Sequence, residues 1–170
     1  MRLSDLVLVI CCGAAAAWDL HTFRIPNVLL LAGAAVICLL RWPLWLTVDT
    51  AAAVCLPLLF LPLLAASMIG AGDIKLLMLA GLAAGLHGLL QILAAAGILA
   101  AGWALFRLVT CRMLCARMAY LFRYISGSLS GRPPGPYIPD KDRTGAWLMH
   151  LAVPVFAAVL LRFLYLYVAA

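Results

Sequence analysis

Glutamate is absent from this chain, and charged residues of all kinds are scarce, at 11% of 170 positions. A soluble globular domain carries about a quarter of its residues as Asp, Glu, Lys or Arg, which keep its surface in water. Disordered segments combine low hydrophobicity with high net charge, and contain fewer apolar residues than folded domains do. The shortage of charge therefore excludes both a water-soluble enzyme and a disordered chain.

Cysteine is present, but not in the patterns that cross-link a chain or bind a metal. Four of the six cysteines fall inside apolar runs, and Cys111 and Cys115 have no second Cys or His pair at zinc-site spacing. Buried free cysteines behave as small apolar side chains. We therefore expect neither a disulfide-rich secreted domain nor a metal site.

Apolar residues dominate what is there, at 68% of the chain with a mean hydropathy of +1.15. A transmembrane helix needs about 20 such residues. Of the six apolar runs in this chain, the fourth has only about 13 residues and is short by that measure. The pattern predicts an all-α polytopic membrane protein with about six transmembrane helices, forming one domain over residues 1–170. The six apolar runs cover about 3–18, 25–40, 50–69, 74–86, 88–106 and 147–168.

Basic residues outnumber acidic ones by twelve to six, and seven of the bases fall between about 107 and 146. Lys and Arg collect in the cytoplasmic loops of membrane proteins. A cytoplasmic 107–146 loop in a six-span chain places nine bases on that side and three on the other, with both termini outside the cytoplasm. We thus expect this loop to meet anionic lipid headgroups, and we expect no nucleic-acid partner.

The two halves of this basic loop differ in composition. Residues 111–125 mix arginine with aromatic and aliphatic side chains, which suits a segment lying at the membrane surface. Residues 127–139 are rich in Gly, Ser and Pro, and are predicted to form a loop rather than a helix.

A competing interpretation makes residues 1–17 a cleaved signal peptide, because an arginine, an apolar stretch and three alanines follow one another there. Asp5 cancels the positive charge that such a segment needs at its start. Cleavage would also leave Asp19 without its span.

Two aspartates reach the same membrane face in the six-span topology, since Asp19 ends the first span and Asp73 opens the fourth. Ionisable residues at membrane depth are costly and are functional candidates for that reason. An aspartate at a helix start can instead serve only the helix dipole. The surrounding sequence favours function, because each aspartate belongs to a longer motif: Asp19 is followed by Ile25-Pro26-Asn27, and the second motif reads Gly70-Ala-Gly72-Asp73-Ile-Lys75.

The order and spacing of these motifs resemble those of the type IV prepilin leader peptidases, which are GxGD-type aspartic proteases of the bacterial inner membrane. The resemblance covers about residues 15–110. The chain lacks the large cytoplasmic insert with paired cysteines of longer members, and is similar to the short forms of tight-adherence (Flp-type) pilus systems. The N-methyltransferase activity of the longer enzymes is therefore not carried over.

This resemblance implies a multi-pass enzyme whose active site faces the cytoplasm, and which removes the short basic leader of Flp-like prepilins or pseudopilins. It implies Asp19 and Asp73 as the catalytic pair, with no metal or organic cofactor. The prepilin and the oligomeric state, including a homo-oligomer, stay open. We expect supporting roles for Gly70, Gly72, Lys75, Pro26 and Asn27, although Lys75 can also be no more than a cytoplasmic-side charge that meets lipid phosphate.

Three rival functions fit the sequence less well. A proton- or cation-coupled transport protein would use the same aspartates, but calls for carboxylates nearer the bilayer centre and a basic or polar partner on another span. A structural subunit of a secretion complex leaves both motifs unexplained. A presenilin-like protease has Tyr-Asp in the preceding span, whereas Trp18 precedes Asp19 here.

Overall fold

The computed structural model describes residues 3–22, 25–42, 47–65, 69–110, 114–129 and 151–168. Across these residues the chain forms seven α-helices and no strand, which confirms the all-α prediction. A 3₁₀ turn, Leu56–Phe60, joins the third helix to the fourth. The helices are α1 (Leu3–Thr22), α2 (Asn27–Leu40), α3 (Val48–Cys55), α4 (Leu61–Ala65), α5 (Ala71–Thr110), α6 (Leu114–Leu129) and α7 (Ala152–Val168).

The outside of this helical assembly is apolar. Large side chains such as Val28, Leu39, Val48 and Phe106 are each more than half exposed. An exterior of this kind is stable against lipid rather than water. Within the described ranges, three helical stretches are long and apolar enough to cross a membrane, and the number of crossings beyond them stays a prediction. They are Leu3–Thr22, Val48–Ala65 and Ala71–Thr110, and the apolar helices Asn27–Leu40 and Ala152–Val168 are shorter.

Helix α5 packs against α1, α2, α3 and α7, and α1 packs against both α2 and α7. The buried face of α1 follows the helical repeat, since its residues recur at intervals of three and four positions. That face carries a carboxylate at each end. The buried residues of α1 are Ser4, Asp5, Leu8, Cys11, Cys12, Ala15, Ala16 and Asp19.

Helix α5 is broken at Gly85, whose backbone angles (φ 73°, ψ −179°) are not helical. A positive φ is readily adopted only by glycine. The break divides α5 into segments 71–84 and 86–110. These segments match the predicted runs 74–86 and 88–106, and the break explains why the fourth run is short.

Neighbouring helix ends bind the backbone groups that this break exposes. The Arg41 guanidinium, just after α2, donates hydrogen bonds to the carbonyls of Leu82 and Ala83. The Asp49 carboxylate, in the first turn of α3, accepts one from the Leu86 N–H at 3.3 Å. Helix ends buried without such partners would be costly.

A buried ion pair joins α1 to α7. Arg162 Nη1 lies 3.2 Å from Asp5 Oδ1, and both side chains are largely shielded. A Cβ added at Gly88 would lie 2.9 Å from Arg162 Nη2, so the absence of a side chain there makes room for the guanidinium. The second segment of α5 thus begins beside the start of α1.

Helix α6 extends further than the sequence indicates. It continues through Leu129, so the prediction that a loop begins at Gly127 is wrong for its first residues. Serine and glycine have only moderate to poor helix propensity, and here a preceding run of helix-compatible residues propagates through them. The rest of that predicted loop lies outside the described residues, which resume at Leu151.

Candidate active site

Asp19 lies in the last turn of α1, on the helix's buried face. It is only 9% exposed. Its burial follows from register, because Asp19 is four residues after Ala15 and continues the same stripe. A carboxylate in that position needs compensating interactions or a functional reason, since burying a charge is costly.

Asp73 stands in the first turn of α5, where it helps to begin the helix. Its carboxylate accepts a hydrogen bond from the Gly70 N–H at 3.3 Å, and its own N–H donates to the Gly70 carbonyl at 3.2 Å. The side-chain contact is one half of a capping box, in which the third helical residue reaches back to the N-cap. Asp73 Oδ2 would lie 3.0 Å from a Cβ at Gly70, so this close contact favours glycine.

The fold brings these two aspartates to the same end of the helical assembly. Asp19 interacts electrostatically with Asp73, although 54 residues separate them in the chain. Two carboxyl groups at one place can act together in catalysis, one as an acid and the other as a base.

The Ile-Pro-Asn motif and the GxGD motif also meet at this end. Asn27 Oδ1 accepts a hydrogen bond from Lys75 Nζ at 2.9 Å. Pro26, in an extended conformation (φ −67°, ψ 126°), is the N-cap of α2 and sets its first turn. A Cβ added at Gly72 would lie 3.3 Å from three carbons of Ile25. A hydrogen bond and a close approach between Gly72 and Ile25 therefore hold the two motifs together.

All seven residues predicted for the site thus lie at one end of the structure, within or beside the two motifs. Ile25 belongs to the first motif, but its packing against Gly72 is visible only in the structure. The buried Asp5–Arg162 pair likewise has no signature in the sequence. Within the described ranges, no group of three or more His, Cys, Asp or Glu side chains is placed to hold a metal ion.

A comparison with protein-family models gives one finding that bears on this geometry. The model described as the type IV leader peptidase family matches residues 6–105. That range contains both aspartates and both motifs, and spans more than half of the chain. No curated protein and no solved structure matches the chain.

Proposed function

Because this chain belongs to the type IV leader peptidase family, we propose that it is an aspartic endopeptidase whose catalytic pair is Asp19 and Asp73. Membership of the family implies leader-peptidase function and prepilin-type substrates. The observation that carries the aspartic assignment is the position of the two carboxylates, with Asp19 buried in the last turn of α1 and Asp73 in the first turn of α5, each within a separate motif. The motifs themselves are tied together by the Lys75–Asn27 hydrogen bond.

In peptide hydrolysis by such a pair, one carboxyl group is ionised and the other is protonated. The ionised carboxylate removes a proton from a water molecule, whose oxygen attacks the scissile carbonyl carbon. The protonated carboxyl donates its hydrogen to the carbonyl oxygen, and the C–N bond then breaks as a proton reaches the leaving amine. The Gly70 N–H holds Asp73 at a fixed position for this step.

The proposed substrate is a Flp-like prepilin or pseudopilin with a short basic leader, cut just before its apolar segment. A site at the cytoplasmic face of a bacterial inner membrane would meet that junction where leader and membrane segment join. Gly70 is exposed and carries no side chain, which lets an extended substrate strand approach Asp73. We place the whole activity in one transmembrane domain, with the basic 107–146 loop in the cytoplasm.

Co-expression with a Flp-type prepilin tests the catalytic pair. We expect the wild type to remove the leader, and Asp19→Asn and Asp73→Asn each to lower the cleavage rate by at least about 100-fold, the scale of general acid–base catalysis. The mass of the pilin N-terminal peptide reports cleavage. The amount of each variant in the membrane and its thermal unfolding in detergent report folding.

Asp142→Asn is the matched control, since it makes the same chemical change outside both motifs. Its cleavage rate should equal that of the wild type. Leader removal at an undiminished rate by both Asp19→Asn and Asp73→Asn would exclude the proposed pair. Loss of cleavage in Asp142→Asn as well would show that the assay responds to charge rather than to the site.

A further inference from the structure

An open groove of about 410 Å³ runs between α2, α3 and the first segment of α5. Its walls are apolar stripes of helical spacing, formed by Leu30 and Ala34 on α2 and by Met78 and Leu82 on α5, with Val54 contributed by α3. Asn27 and Lys75 stand at one end of these stripes and form its polar mouth. The groove thus has one polar end and is apolar over the rest of its length.

The polar mouth presents hydrogen-bond donors. Asn27 Oδ1 accepts from Lys75 Nζ, so, as far as the described residues go, the amide nitrogen of Asn27 and the remaining ammonium hydrogens of Lys75 can donate to a ligand. Among the described residues that line the groove, Lys75 alone carries a charge. A cation flanked by donors suits an anionic group.

The depth of the groove suits a hydrocarbon chain. From Asn27 to Ala34 the helix rises about 10 Å, at 1.5 Å per residue. One leaflet of a bilayer has a hydrocarbon layer of about 15 Å. A ligand with its anionic group at Lys75 would therefore place most of an acyl chain against the apolar walls.

The groove is distinct from the carboxylate pair. Lys75 follows Asp73 by two positions, which places the two side chains about 200° apart around the helix at 3.6 residues per turn. The proposed substrate is basic on the leader side of the cut, and a lysine at the mouth would repel it. Charge complementarity therefore favours a phosphate-bearing lipid over the precursor.

We propose that this groove binds one anionic phospholipid, with its phosphate on Lys75 and Asn27 and an acyl chain between α2, α3 and α5. The bound lipid joins α2 to α5 at the level where the two motifs meet. It extends the Lys75–Asn27 contact with a third partner, and so stabilises the relative position of the motifs.

Native mass spectrometry of the full chain tests this proposal, after purification from membranes supplemented with phosphatidylglycerol and phosphatidylcholine. We expect the wild type to retain one phosphatidylglycerol and to discriminate against phosphatidylcholine. Lys75→Gln should weaken retention about tenfold, as expected for loss of a charge-assisted hydrogen bond. Lys75→Arg should restore it, and Ala34→Phe should abolish it by filling the groove.

Arg123→Gln removes an exposed charge on α6 and serves as the control, because it should leave retention unchanged. Asp19→Asn should also retain the lipid, which separates this proposal from the catalytic one. Equal retention by the wild type, Lys75→Gln and Ala34→Phe would overturn the lipid site. An unchanged lipid signal with a raised KM for the prepilin in both variants would also overturn it, and would assign the groove to the substrate.

Discussion

At the scale of single residues, the partner rather than the residue type decides what an aspartate does in this protein. Asp5 and Asp19 occupy the same buried face of α1, at opposite ends. Asp5 forms an ion pair with Arg162, whose Nη1 lies 3.2 Å from its Oδ1. Asp19 instead interacts with another carboxylate, Asp73. Only the second arrangement brings two acids together, which the proposed catalytic pair requires.

Gly72 shows how a residue without a side chain can control the site. Because a Cβ there would lie 3.3 Å from three carbons of Ile25, a larger side chain must push the two motifs apart. We expect Gly72→Val to lower kcat/KM for prepilin cleavage by up to about 100-fold, the cost of misplacing a catalytic group by about 1 Å. The initial rate of leader removal in membranes measures this effect.

Ile25→Ala provides the matched test of this explanation. In the Gly72→Val background it makes room for the added methyl groups, and should recover part of the lost rate. A double variant as slow as Gly72→Val alone would contradict the packing argument, since relief of the contact would then have no effect. Wild-type activity of Gly72→Val itself would contradict it too.

At the scale of elements, the break in α5 is held by the ends of two other helices. Arg41 follows α2 and Asp49 belongs to the first turn of α3, and each binds backbone groups on one side of Gly85. The three elements therefore stabilise one another at the end of the molecule where α3 begins. An α5 without the break would leave both charged side chains without these backbone partners.

Gly85→Ala should destabilise the protein by about 1–3 kcal/mol from backbone strain, because alanine rarely adopts a positive φ. Further cost comes from its Cβ, which would lie 2.7 Å from Asp49 Oδ2. Gly97→Ala is the control, since Gly97 is helical and a Cβ there meets nothing within 4 Å. It should stabilise the helix by up to about 1 kcal/mol.

Unfolding by a denaturing detergent in mixed micelles gives the free energy of both variants. A Gly85→Ala protein as stable as the wild type would show that the break is not required by the packing around it. Destabilisation of equal size in Gly97→Ala would show that any glycine replacement in α5 is harmful. The effect at Gly85 could then not be assigned to its positive φ.

The sequence predicts the two helical segments of α5, but not the break between them or the end of α6. Apolar runs on either side of Gly85 indicate two helical segments, because hydrophobicity is read directly from composition. The positive φ at Gly85 has no sequence signature, since glycine is common in membrane helices. Similarly, α6 extends to Leu129 although Gly127 and its serine neighbours resemble a loop. Context can outweigh single-residue propensity there.

At the scale of the whole molecule, the order of the helices and the length of their connections make part of the site predictable from sequence. Short connections between apolar runs favour antiparallel neighbours, which brings the end of α1 and the start of α5 to one face together with Asp19 and Asp73. Contacts that depend on side-chain packing, such as Gly72 against Ile25, need the folded structure. The Asp5–Arg162 pair was beyond sequence reasoning because 157 positions separate its members.

That ion pair joins the first and last described helices, and its energetic role can be measured. Asp5 lies about 21 Å from Asp19 along α1, at 1.5 Å per residue, so the pair is remote from the proposed site. We expect Asp5→Leu and Arg162→Met each to cost about 3–5 kcal/mol, because each leaves one buried charge without its partner. The double variant should cost much less than the sum, since no charge is left to bury. The unfolding free energies of the wild type, the two single variants and the double variant in mixed micelles give the interaction energy of the pair. If the costs of the two single variants simply add in the double variant, the prediction is contradicted. Cleavage per folded molecule should be unchanged throughout, and a loss of cleavage in the stable double variant would show that this end of the molecule also shapes the site.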